Sequence, residues 1–134
     1  MTISLKFCNI TVNDVDESVA FYRDALGFEV RNDVGNGGFR WVTLGDPADP
    51  GAQIVLSEPH AGRSQADGDV LQELLTKGVL PVIVFSSDDV DAAFEKAQST
   101  GAEVLQELID QGWGPRDCAF RDPSGNTVRI AQAV

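Results

Sequence analysis

The sequence predicts an α+β fold. Two βαβββ units form a curved, cup-like mixed sheet with the helices on its outer face. Three observations carry this prediction. First, a motif repeats at about half the chain's length. Asp14-Val15-Asp16 returns as Asp89-Val90-Asp91, and Gly27-Phe28-Glu29-Val30 returns as Gly101-Ala102-Glu103-Val104. Second, each copy opens a helix with a capping residue and closes it with a glycine. Third, one apolar-rich run precedes each helix and three follow it, with strong turn signals among them.

The first strand is expected at Lys6 to Val12. Asp14 is a good N-cap, with Glu17 three residues on as its capping-box partner. Val15, Val19, Tyr22 and Leu26 then mark one helix face, and Gly27 supplies the left-handed residue that ends it. Strands follow near Phe28 to Val34, Phe39 to Leu44 and Gln53 to Ser57. The second unit repeats the pattern. A strand at Val79 to Phe85 leads to a helix capped at Asp88 or Asp89, striped by Val90, Phe94 and Ala97 and stopped at Gly101. Strands near Glu103 to Leu108, Arg116 to Arg121 and Thr127 to Ala131 complete it. Asn36-Gly37-Gly38 and Asp122-Pro123-Ser124-Gly125-Asn126 are turn signals.

The organisation expected is one domain of residues 1–134. Residues 1–58 form the first unit, 59–78 a linker and 79–134 the second unit. Within the linker, Asp69 to Lys77 reads as a short helix with Val70, Leu71, Leu74 and Leu75 on one face. The preceding Pro59 to Gly68 is polar and reads as a mobile flap.

Composition sets bounds on function. An apolar content of 43% in 134 residues is enough for a core, and no run reaches the ~18 apolar residues of a membrane span. The start of the chain lacks a basic region followed by a long apolar stretch, so no signal peptide is expected. Two cysteines, Cys8 and Cys118, stand far apart without metal spacing, which predicts a reduced cytoplasmic setting. Asp and Glu number 21 against 10 Lys and Arg, a net charge of −11. That surface repels nucleic acid and anionic lipid, and it would attract a cationic ligand.

Alternation sorts the strands into faces. Cys8, Ile10 and Val12 lie opposite Phe7, Asn9 and Thr11. Ile54 and Leu56 oppose Gln53, Val55 and Ser57, and Val128 and Ile130 oppose Thr127, Arg129 and Ala131. The apolar set suits packing under the helices, which would make Cys8 a small buried hydrophobe. The mixed set suits the inside of a ligand cavity. Leu80, Val82 and Val84 are as apolar as Ile83 and Phe85, so that strand is expected to be buried on both faces.

The paired units, with "DVDESVAFYRDALGFEV", "DDVDAAFEKAQSTGAEV" and "FRDPSGNTVRI", resemble the vicinal-oxygen-chelate superfamily. That group includes glyoxalase I, extradiol dioxygenases, fosfomycin-modifying enzymes and bleomycin-resistance proteins. The resemblance spans essentially the whole chain. It implies the fold but not one chemistry, because the scaffold hosts many. It also implies four strand positions at which the family's enzymes hold a metal with His, Gln or Glu. Here those positions carry Phe7, Val55, Val82 and Arg129. Hydrocarbon offers no donor, and a guanidinium repels a cation. No common slide of one residue recovers two ligands, so neither a metal site nor a cofactor is expected.

With one histidine, His60, no nucleophilic triad can be assembled, and no catalytic residue is assigned. The resemblance then points to the family's binding branch, whose members hold drugs in grooves of a dimer. The expected ligand contacts are Phe7, Phe39, Trp41, Val55, His60, Val82, Trp113, Arg116, Asp117 and Arg129. Phe39 and Trp41 share a strand face, and Trp113 stands in a glycine-flanked loop that its neighbours cannot pack. Arg129, if inside the cup, needs an acid from Glu103, Glu107 or Asp117, or a ligand oxygen. Arg116 and Asp117 alternate, so one of them faces inward, and the sequence leaves open which. The function expected is a metal-independent protein, assembled as a homodimer, that sequesters an aromatic or cationic antibiotic or other natural product. A glyoxalase-like lyase or isomerase acting on a small organic substrate is the alternative.

Overall fold

In the computed structural model, which describes residues 1–134, the strands divide between two four-stranded mixed sheets. The elements are β1 (Phe7–Thr11), α1 (Val15–Asp24), β2 (Glu29–Asn36), β3 (Phe39–Gly45), β4 (Gln53–Ser57), α2 (Gln65–Thr76), β5 (Ile83–Ser87), α3 (Val90–Ser99), β6 (Glu103–Asp110), β7 (Arg116–Arg121) and β8 (Thr127–Gln132). The sheet orders are β1-β4-β3-β2 and β5-β8-β7-β6. In each, the first strand runs parallel to the fourth and the other pairings are antiparallel. This is one βαβββ topology used twice.

Local chemistry sets the helix ends. The Asp14 carboxylate accepts from the Glu17 amide at 2.9 Å, and Asp89 does the same for Ala92 at 3.1 Å. The helix in the linker begins a turn earlier than the apolar stripe suggested. Ser64 caps it by accepting from the Asp67 amide, and Gly68 is buried inside it. The expected flap is largely folded, with Pro59 and Ala61 buried. The helix ends in a Schellman arrangement: Gly78, at φ 73°, donates to Leu75, and Val79 donates to Leu74. That use of Val79, followed by Pro81, delays β5 to Ile83.

The cores lie between sheets and helices. Ile10, Val12, Val15, Tyr22, Val42, Leu44, Ile54, Leu56 and Val128 form one cluster, and Val90, Phe94, Ala97, Cys118, Phe120 and Ile130, with Ala25, form the other. Phe21 and Leu26 touch both. Phe85 of β5 meets Tyr22 and Phe28 edge-on, with ring centroids 6.4 and 5.3 Å apart, so the second unit contributes to the first unit's core.

Two burial expectations are corrected. Of β5 and the residues leading into it, only the Ile83 and Phe85 side packs on the core; Val82 and Val84 are 50% and 63% exposed. β5 is an edge strand, and its Val84 side is left exposed. Cys8 is exposed rather than buried, because α1 covers Ile10 and Val12 while Cys8 sits near the open start of an edge strand. Cys118 is buried, and burial pushes its thiol up to about 11.

Candidate functional site: the helix-free sheet faces

Strand register assembles the two faces that the helices leave open. On the first sheet one row reads Asn9, Val55, Thr43 and Asn32, and the next reads Thr11, Ser57, Trp41 and Val34. Phe7 and Phe39 share this face by alternation. Val55 and Ser57 are buried in it, whereas Phe7 is 43% exposed. The side chains in these two rows are uncharged.

On the second sheet the matching row reads Val84, Arg129, Ala119 and Gln106, and the next reads Ser86, Ala131, Asp117 and Ile109. The alternation of Arg116 and Asp117 is thereby resolved: Asp117 faces the open side and is nearly buried. Arg116 turns to the helix side, where Nη2 pairs with Asp91 of α3 at 2.8 Å. The register of β7 and the carboxylate at the start of α3 account for this, so Arg116 is not on the face expected of a ligand contact.

Asp117 is the acid that neutralises Arg129. Arg129 Nη1 donates to Asp117 Oδ2 at 2.9 Å and to Gln106 Oε1 at 3.0 Å. Asp117 Oδ1 accepts from Gln106 Nε2 and Gln111 Nε2, each at 2.9 Å. Burial pushes the Asp117 carboxyl up. The hydrogen bonds from Gln111 and Gln106 and the charge of Arg129 outweigh this and hold it below the usual carboxylate range. Glu103 pairs instead with Arg121. Sequence reasoning missed the two glutamines, because a neutral amide carries no signal until the register places it beside a charge.

His60 is engaged by α2. Its Nε2 is 2.8 Å from Asp69 Oδ1, Gln65 donates to the same carboxylate oxygen, and the ring packs on Gly68 of α2. This contact holds the Asp69 carboxyl below its ordinary value. The linker turn and α2 come together through His60. Trp113, in the β6–β7 loop, is 80% exposed. Between the edge strands β1 and β5 runs a crevice of about 900 Å³, with Cys8, Leu26, Phe28, Val84 and Lys96 among its lining residues. Of the ten residues expected to contact ligand, only Val82 lines it.

The metal that the fold family implies does not fit this donor set. Phe7, Val55 and Val82 supply no ligating atom, and Arg129 supplies a cation. Nor does any group of three or more His, Cys, Asp or Glu come together elsewhere to hold an ion.

The uncharacterised protein YurT from Bacillus subtilis (strain 168) is 30% identical over 124 residues, covering 92% of this chain and 94% of YurT. The crystal structure of UcmS2 superposes with a TM-score of 0.87 at 32% identity, covering 98% of each chain. TnmS3, an antibiotic binding protein from Streptomyces sp. CB03234, shares the fold with a TM-score of 0.77 at 24% identity, covering 100% of this chain and 99% of that one. The family model for the Glyoxalase/Bleomycin resistance protein/Dioxygenase superfamily matches residues 4–130. With the paired βαβββ units and their open faces, that match places the chain in this superfamily.

Proposed function

We propose that this chain is a metal-independent binding protein that sequesters an aromatic or cationic natural product of the antibiotic class. The observation that carries the reading is the content of the open faces. The four strand positions where enzymes of the fold would grip an ion hold Phe7, Val55, Val82 and Arg129, and Trp41 shares a face with two of them. Such a surface favours flat organic rings, which stack on aromatic side chains and leave few polar groups unpaired. TnmS3, whose fold this chain shares, is an antibiotic binding protein, and the net charge of −11 would draw a cationic ligand. Ligand contacts are assigned to Phe7, Phe39, Trp41, Val55, Val82, Trp113, Asp117 and Arg129. The protein works as a cytoplasmic homodimer in which a second copy covers the exposed Trp113 and the edge strands.

Isothermal titration with bleomycin-type glycopeptides and planar polycyclic aromatics tests the reading. Binding tighter than millimolar, about −4 kcal/mol, is expected for at least one class. Failure of both, or stoichiometric iron, manganese, zinc or nickel that survives dialysis, would overturn it.

A further inference from the structure

The Arg129 guanidinium is only half used. Every hydrogen bond it makes within the chain leaves from Nη1, to Gln106 Oε1 and Asp117 Oδ2. Nε and Nη2 have no partner in the protein, and the side chain is one-third exposed on the open face. In a planar guanidinium, Nε–H and Nη2–H form the lateral edge, two parallel donors matched to two neighbouring acceptor oxygens. Nη1 belongs to the other edge. The intramolecular bonds therefore engage one edge and leave the lateral one free.

The surroundings hold the group in place. Asp117 is nearly buried and its oxygens are committed to Arg129, Gln106 and Gln111. Gln106 closes the ring by donating to Asp117 while accepting from Arg129. The residues flanking Arg129 across the sheet are Val84 and Ala119, which are small and apolar and offer its free donors nothing. Because Asp117 balances the charge, attraction at this point depends more on paired acceptor geometry than on net charge.

We infer that Arg129, positioned by Asp117, Gln106 and Gln111, selects planar aromatic ligands that carry two acceptor oxygens side by side on the ring edge. The selection rests on the reading of the open faces as a ligand-binding surface. Two sources supply this chemistry, an aromatic carboxylate and an aromatic hydroxyl beside a carbonyl. Asp117, Gln106 and Gln111 are positioning residues that keep the fork turned outward.

The test measures dissociation constants for the full chain with four probes of similar ring area. These are naphthoate, ortho-hydroxyacetonaphthone, acetonaphthone with its single oxygen, and methylnaphthalene with none. At least one of the first two is expected to bind about tenfold tighter than acetonaphthone, the gain from a second charge-assisted bond. Which of them does so identifies the source. In Arg129→Lys, which keeps the charge but loses the fork, that preference, measured against acetonaphthone in the same variant, should fall below about twofold. In the native chain, equal binding of acetonaphthone and both paired-oxygen probes overturns the inference and leaves the binding function standing. A preference that persists in Arg129→Lys also overturns it. If no probe of any kind binds, the aromatic-binding reading fails and takes this inference with it. The native-chain comparison does not depend on how well the variant folds.

Discussion

Tyr22 of α1 donates its hydroxyl to Asp122 Oδ2 at 2.8 Å, across 100 residues of chain, with the ring fully buried. Burial, then the neighbouring Asp122 charge, raises the phenol well above its ordinary value, so it stays a donor at any working pH. Around this bond, Ser124 Oγ accepts from the Asn13 amide and Asn126 Nδ2 donates to the Thr11 carbonyl. The β7–β8 turn of the second unit thus holds the β1–α1 joint of the first. Tyr22→Phe keeps the packing but leaves Asp122 short of a donor. We expect a loss of about 1–3 kcal/mol in urea unfolding. An unchanged midpoint would show that the bond contributes nothing.

Asp117 gives a pH signature. Its folded pKa lies below the ordinary carboxylate value, near 3.9 in the unfolded chain. The stabilisation is therefore complete above that value and is lost as pH falls through the lower, folded one. At pH 7, Asp117→Asn should cost about 1–3 kcal/mol. The gap between the native chain and the variant should close on acidification below about pH 4. Chemical denaturation across that range measures it; a gap independent of pH would contradict the assignment.

Gly68 inverts the usual helix rule. Glycine to alanine inside a helix ordinarily stabilises by about 1 kcal/mol. A Cβ at Gly68 would lie 2.2 Å from the His60 ring, which its bond to Asp69 holds in place. Gly68→Ala should therefore lower the melting temperature. The same change in a His60→Ala background should raise it relative to His60→Ala alone, and a double-mutant cycle reads the sign reversal.

Trp41 tests the first sheet's face. Trp41→Ala should weaken an aromatic ligand by about tenfold, through lost stacking and lost apolar contact. Fold integrity is checked by far-ultraviolet circular dichroism. An affinity that does not change would remove this face from the binding surface.

Trp113 tests the assembly. An exposed tryptophan between two glycines has the character of an interface anchor. Trp113→Ala should shift the proposed dimer towards monomer in sedimentation velocity, with dimer association weakened at least tenfold. A native chain that sediments as a monomer at working concentration would refute the homodimer.

The repeat, the caps and the glycine stops made the βαβββ topology legible in the sequence, because each is a local signal written within a few residues. Burial at the unit edges was less so. Cys8 and Val84 have the alternation of core residues, yet they lie on β1 and β5, and no local pattern reveals that a strand is an edge. The open-face rows followed from period two once the strands were placed, which is why Arg129 and Asp117 could both be named as candidates. Their pairing could not be named. It depends on the register between β7 and β8 and on two glutamines from β6 and its following loop. Arg116 shows the same limit: its partner Asp91 sits on a helix 25 residues earlier.

The grip of the β7–β8 turn runs in one direction only. In the first unit, the corresponding turn is held locally by Arg31, whose Nη2 donates to the carbonyls of Asp46 and Asp49. Asp122, by contrast, satisfies its own turn through the amides of Ser124, Gly125 and Asn126 and still reaches across to Tyr22. Severing the chain in the linker would strip the leading fragment of the groups that answer Thr11, Asn13 and Tyr22. The trailing fragment would keep its turn whole. At this turn the duplicated halves are not equals: the trailing half closes it with its own side chains, and the leading half leans on the same groups.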